Sequence, residues 1–213
     1  MISEAVYLHY LNSLLDGDKQ QCVQIVINLV EQQVSIKEIY MELFQRSMYR
    51  IGQLWEKERC SIAKEHVATK ITEGLIELVS ENYLCCKKNG KLALVTCVDK
   101  EFHELGARMV AGFLQANGWD TLFAGSNTPA NEILFMIRER NPELVGISIS
   151  FYVNLSRLVK LINDIKNEFP FQTIIVGGQA LAQDYSNIFA GIDDVTYITC
   201  LNGLEKYLAA IPE

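Results

Sequence analysis

His103 is one of three histidines in 213 residues, and Glu101 stands two positions before it in the run Asp99-Lys100-Glu101-Phe102-His103-Glu104-Leu105-Gly106. In a loop, such a carboxylate can accept one imidazole N–H. That bond selects the tautomer and raises the basicity of the other ring nitrogen, which is what a metal-ligating histidine requires. No other Cys or His is close enough in sequence to complete a zinc site, and one histidine is too few ligands for structural zinc. A single loop imidazole suits a metal already held by a macrocycle and lacking only an axial ligand. Two hydroxyls, Ser148 and Ser150, and the pair Gly177-Gly178 are further candidates. The glycines allow close backbone approach to a flat or bulky group, or make a tight strand-to-helix turn. They do not form a dinucleotide loop, because G-x-G-x-x-G is absent. Trp55 and the adjacent pair Glu65-His66 form a second group, open to a core reading for the indole and a surface ion pair for the other two.

Positioning these residues requires two kinds of element. Residues 1–88 carry apolar side chains at helical spacing throughout, as in Val23, Ile27 and Val30. Leu14-Leu15-Asp16-Gly17-Asp18 separates a first helix from a second, Ser35-Ile36-Lys37-Glu38 is a capping-box pattern that opens a third, and Ser61 can cap a fourth running to about Leu84. This predicts an N-terminal four-helix bundle. From residue 89 the pattern changes. Lys91–Val98, Asp120–Ala124, Leu144–Ser150, Thr173–Val176 and Val195–Ile198 read as strands separated by helices. Residues 89–213 are therefore expected to form an α/β domain, a flavodoxin-like, doubly wound, five-stranded parallel sheet of order 2-1-3-4-5. In such a sheet ligands bind beyond the carboxyl ends of the strands at the switch point, where the loop holding Glu101 and His103 lies beside Ser148 and Ser150.

The formal net charge of −7 argues against non-specific nucleic-acid or anionic-membrane binding. No signal peptide or 18-residue apolar run is present, and the six cysteines show no C-x-x-C spacing. Reduced thiols in a cytoplasmic protein are expected, with the vicinal Cys85-Cys86 pair at a helix end and without a redox role.

The ordered set Glu101-x-His103-x-x-Gly106, Ser148-x-Ser150 and Gly177-Gly178 resembles the three signatures of cobalamin-binding Rossmann-like domains, and Gly125-x-x-Thr128-Pro129 is similar to a fourth family feature. The resemblance implies a base-off cobalamin with His103 as the lower axial cobalt ligand and Glu101 as its partner. It further implies that Gly106 opens space for the nucleotide tail, that Ser148 bonds the displaced dimethylbenzimidazole, and that Gly177-Gly178 flank that tail. Ser150 departs from the more usual Leu or Thr.

Trp55, with Glu65-His66 ten residues on, resembles the W-x9-EH signature of bundles that cap adenosylcobalamin in light-sensing (CarH/LitR-like) transcription regulators. On that likeness Trp55 packs over the adenosyl side of the corrin, Ile62 and Glu65 line the adenosyl pocket, and His66 takes the upper cobalt position once the alkyl group is lost. Glu58 stands where that family commonly has glycine. With no helix-turn-helix ahead of the bundle, DNA binding is not expected.

The resulting expectation is an adenosylcobalamin-binding light or cofactor sensor that signals through a regulatory protein partner, with self-association open. The alternative is a corrinoid carrier, with methylcobalamin, that shuttles methyl groups between methyltransferases. Carriers of that type usually have Phe and a Pro-Glu-Leu run where Trp55 and its neighbours stand, and Asp in place of Glu101.

Overall fold

The computed structural model describes residues 1–84, 87–182 and 192–211; the Cys85-Cys86 pair lies outside them. The chain divides into two compact units, Met1–Leu84 and Cys85–Glu213. No helix among the described residues is long and apolar enough to cross a membrane. Cys22, Cys60, Cys97 and Cys200 are free thiols.

The first unit is helical, and its punctuation follows the polar residues. α1 (Glu4–Asp16) begins where Ser3 accepts the Val6 amide, and α2 (Lys19–Glu31) where Asp18 accepts the Gln21 amide. Ser35 opens the next rod by accepting the Glu38 amide at 3.2 Å. The capping box is completed differently from the sequence expectation: the Glu38 carboxylate accepts the Ile2 amide and pairs with the N-terminal ammonium. The rod comprises α3 (Ile36–Glu38), a π-helical stretch (Ile39–Gln45) and α4 (Arg46–Glu56). The wide π turn lets Ile39, Tyr40, Leu43 and Phe44 all reach the core, where Tyr10, Phe44 and Tyr40 follow one another with ring centroids 5.9 Å apart. Apolar spacing alone does not distinguish this stretch from α-helix, so the pattern carries no sign of the irregularity. α5 (Ile62–Asn82) starts at Ser61, whose hydroxyl accepts the Lys64 amide at 3.3 Å.

α4 ends in a Schellman motif: the Arg59 amide donates to the Leu54 carbonyl at 2.8 Å and the Glu58 amide to the Trp55 carbonyl at 2.9 Å. That geometry places Glu58 in the left-handed region, at φ +56, and gives a physical reason for glycine at this position.

The second unit is an α/β sheet. Its elements are β1 (Leu92–Cys97), α6 (Leu105–Ala116), β2 (Asp120–Gly125), α7 (Ala130–Arg140), β3 (Leu144–Ser148), α8 (Leu155–Glu168), β4 (Ile174–Gly177), β5 (Val195–Tyr197) and α9 (Leu201–Ala210). All four strand pairings are parallel, in the order β2-β1-β3-β4-β5, which is the predicted doubly wound arrangement. The centre of the sheet reads as continuous apolar runs because both faces are covered. Leu94, Val145, Ile147 and Ile174 pack with Ile133 of α7 and Leu158 and Ile162 of α8. β3 ends at Ser148, two residues earlier than its apolar run suggests, because the Ser150 and Phe151 amides turn away to another acceptor.

The Schellman geometry generates a test. Glu58→Gly relieves a left-handed side-chain conformation, so it is expected to raise the unfolding free energy by about 1 kcal/mol, read by urea denaturation of the full chain.

Candidate functional site

β1 carries the chain to the carboxyl edge of the sheet, and the loop before α6 holds Glu101 and His103. Glu101 is fully buried. A carboxylate in such a place must be compensated by hydrogen bonds or it protonates. Here Oε1 accepts the His103 amide at 3.1 Å and His103 Nδ1 at 2.8 Å, while Oε2 accepts the Ser150 amide at 3.0 Å, the Phe151 amide at 3.0 Å and Asn154 Nδ2 at 3.1 Å. Burial pushes the carboxyl pKa up, but the bonds from His103, Phe151 and Ser150 outweigh it and hold the group down at about 2. Glu101 is therefore an anion at neutral pH. An anion can only accept, so His103 Nδ1 carries a proton, and in the neutral imidazole the lone pair is that of Nε2.

The imidazole itself is half exposed, with 52% of its side-chain surface open against 0% for Glu101. The edge of its ring meets Phe151 in a T-shaped contact, centroids 4.5 Å apart, which fixes its plane. Around it, Phe102, Phe151, Tyr152 and Val153 are all more than half exposed. Exposed apolar side chains on the loops that hold an oriented imidazole are suited to contact an apolar group. The neighbouring Cys97 is buried, and its Sγ lies 3.7 Å from the His103 carbonyl. Burial above all, and then the charges of Glu101 and Glu104, push its thiol up to about 12.

The other predicted residues are placed as follows. Gly106 opens α6, and a Cβ there would stand 3.8 Å from Ser148 Oγ, so its absence leaves a small space beside that hydroxyl. Ser150 acts through its backbone amide on Glu101. Thr128 directs its hydroxyl to the Ala124 carbonyl at 3.1 Å, closing the loop before α7. The glycine pair approaches the protein's own backbone. A Cβ on Gly177 would lie 3.1 Å from the Ile198 carbonyl oxygen, and one on Gly178, at φ +116, would lie 2.1 Å from that of Ile149. Gly178 is thus required by the turn itself, and Gly177 is closely packed in it, whatever else they flank.

In the helical unit, Trp55 lies in the last turn of α4 and Ile62 at the start of α5, both about half exposed. Glu65 accepts Thr69 Oγ1 at 2.8 Å and lies 3.7 Å from His66 Nε2. His66 is largely exposed and lines a shallow groove with Gly17, Lys19, Val67, Lys70 and Ile71, a set that does not include Trp55 or Ile62.

Two contributors escape a reading of the sequence. Asn154, just ahead of α8 and almost fully buried, reads as an ordinary helix start. Phe151 falls just past the strand expected over Leu144–Ser150. Only the crossing of the loops after β1 and β3 shows that both serve Glu101 and His103.

This constellation at the switch point of a 2-1-3-4-5 sheet defines a class. Residues 91–201 match the B12 binding domain family and residues 9–79 match a second B12 binding domain family; the chain belongs to the B12-binding proteins and binds cobalamin. Among characterised relatives it is 20% identical over 191 residues, 88% of each chain, to dimethylamine corrinoid protein 1 of Methanosarcina mazei. It is 27% identical over 127 residues to the methanol–corrinoid protein of Methanosarcina barkeri, covering 58% of this chain and 47% of that relative. The fold matches the Methanosarcina barkeri monomethylamine corrinoid protein with a TM-score of 0.83 at 14% identity, over 99% of this chain and 100% of that one. It matches a methanol:cobalamin methyltransferase complex of the same species with a TM-score of 0.51 at 15% identity, over 100% of this chain and 83% of that one.

Two substitutions test the site. Glu101→Gln keeps the volume but replaces one acceptor oxygen by an NH2, which then faces two or three of the five N–H donors, and is expected to cost about 3 kcal/mol or more of stability. Gly178→Ala combines positive φ with a backbone clash and is expected to cost about 3 kcal/mol or more. Urea denaturation of the cofactor-free chain measures both; a loss below about 1 kcal/mol for either would contradict the geometry.

Proposed function

We propose that this chain is a corrinoid carrier protein, holding cobalamin through His103 as lower axial ligand and presenting it to methyltransferases that load and unload a methyl group. The observation that carries the reading is the buried, ionised Glu101 bonded to His103 Nδ1, an arrangement that makes Nε2 the nitrogen a metal would take. The donor set fits a corrinoid, since one oriented imidazole suits a metal whose equatorial ligands come from a macrocycle. The half-exposed Phe102, Phe151, Tyr152 and Val153 suit the face of that macrocycle.

When bound, cobalamin supplies a cobalt atom able to accept and give up a methyl group. The chain's residues bind and orient. Glu101 keeps the proton on Nδ1 and the imidazole basic, Phe151 holds the ring plane, and the apolar side chains exclude water from the metal's lower side. Gly106 and Ser148 offer the nucleotide tail a small space with a hydroxyl beside it, and the loops carrying Ser150, Thr128 and Gly177-Gly178 frame the same edge. The similarity to the dimethylamine corrinoid protein over 88% of both chains supports a carrier, with methyltransferases as partners, over a light sensor with a regulatory partner.

The sensor reading rests on the spacing of Trp55 from Glu65-His66 and on the half-exposed indole and Ile62. It assigns His66 the upper cobalt position after photolysis of adenosylcobalamin. The position of His66 in a groove without Trp55 or Ile62 gives that role less support than the carrier reading receives from Glu101 and His103.

The test uses the full chain loaded with hydroxocobalamin. His103→Ala is expected to lose the His-on visible spectrum and to weaken binding about 10- to 100-fold. An unchanged spectrum would overturn the ligand assignment. The reduced, loaded wild type is expected to accept a methyl group from a methylamine or methanol in the presence of the corresponding methyltransferase. A chain that accepts none, but in its adenosylcobalamin form changes spectrum under green light in a way that His66→Leu abolishes, would favour the sensor.

A further inference from the structure

Glu101 is gripped from two sides, and its carboxylate is only one of them. On the other side, from the loop between β2 and α7, the Asn127 amide donates to the Glu101 carbonyl at 2.8 Å, and Asn127 Oδ1 accepts the Lys100 amide at 2.9 Å. The Lys100 carbonyl in turn lies 3.4 Å from Asn154 Nδ2. Three successive peptides, 99–100, 100–101 and 101–102, are thus pinned by asparagines from different loops, the first and third by Asn127 and the second by Asn154.

Both partners in the outer clamp have left-handed backbones, Asn127 at φ +52 and Lys100 at φ +62. Side chains other than glycine disfavour this region, and Asn tolerates it best. Two such residues bonded to each other across loops show that the surroundings enforce the conformation. The same loop holds the far side of the histidine: the Ser126 amide donates to Glu104 Oε2 at 2.7 Å, and a Cβ on Gly125 would stand 3.3 Å from that oxygen. Residues 125–127 therefore brace positions 100, 101 and 104, on both sides of His103.

We infer that Asn127 is a positioning residue for the cobalt ligand. Through the Lys100 and Glu101 peptides it sets the backbone on which Glu101 enters the protein and His103 leaves it, and so the direction in which Nε2 points. This rests on the proposed role of His103. The side-chain requirement is specific. Asn supplies an acceptor and tolerance of positive φ, and Asp supplies both as well. Gly supplies only the backbone freedom, and Leu supplies neither.

The test compares Asn127→Asp, Asn127→Gly and Asn127→Leu in the full chain by two readouts. One is the His103 Nδ1–H resonance of the cofactor-free, 15N-histidine-labelled protein. The other is titration with hydroxocobalamin followed by its visible spectrum. Asn127→Asp is expected to keep the wild-type Nδ1–H signal and affinity. Asn127→Gly and Asn127→Leu are expected to broaden or lose that signal and to weaken His-on binding about 10-fold, with Asn127→Gly still melting as a folded protein. Wild-type resonance and affinity in the Gly and Leu variants would overturn the inference, as would an Asp variant as defective as Leu. Failure of the underlying site reading is distinguishable, because it appears as a wild-type cobalamin spectrum in His103→Ala.

Discussion

A fully buried carboxylate is among the more expensive groups a protein can contain, and the carboxyl edge of this sheet is organised around one. Removing Glu101 from water disfavours its charge. Five N–H donors, drawn from its own loop and from the loop after β3, restore what water would have provided. Ser150, Phe151 and Asn154 lie 49 to 53 residues away in the chain. Their convergence is possible because β1 and β3 are sheet neighbours although β2 lies between them in sequence. The early end of β3 follows from the same cause, since amides that would otherwise extend a strand are committed to the anion.

The charge has a directional consequence. One of the five donors is the His103 imidazole, so a buried anion that is fixed in place fixes the orientation of a half-exposed ring. His103 is held on a polar partner through Nδ1 and against the Phe151 ring, while Phe102, Phe151, Tyr152 and Val153, its neighbours along the two loops, are more than half exposed. An oriented nitrogen with exposed apolar side chains on the same loops suits a cofactor whose metal needs one nitrogen and whose remaining surface is broad and flat. Holding the histidine on a strand-end loop braced by two neighbouring loops gives it the rigidity of the sheet.

The helical unit obeys a different logic. Its ends are set by Ser3, Asp18, Ser35 and Ser61, each taking a backbone amide of its helix's first turn, and its interior by large aromatic side chains. The π stretch places Ile39, Tyr40, Leu43 and Phe44 in the core. Glu58 occupies a left-handed Schellman position, so its departure from glycine is a local backbone cost in the connection between Trp55 and α5.

Much of this is legible in the residues alone. Hydrophobic period distinguishes helices from strands because it reports which faces are buried, and in an all-parallel sheet the alternation of strand and helix leaves few topologies. The order 2-1-3-4-5 and the location of the ligand edge follow from that. Glu101 and His103 are legible because a local pair two residues apart needs no tertiary information. Local pattern does not reach the donors from Asn154 and Phe151 or the brace from Asn127, since bonds between separate loops depend on which strands become neighbours. Nor does it choose between roles that depend on what a backbone meets. Gly177 and Gly178 read equally as space for a ligand or as a tight turn, and it is the approach of the Ile149 backbone to Gly178, and more loosely of Ile198 to Gly177, that shows the turn's need. Composition and spacing determined the elements and the chemically capable pair; only tertiary contact decided which groups compensate the buried charge, because compensation depends on distance in space and not along the chain.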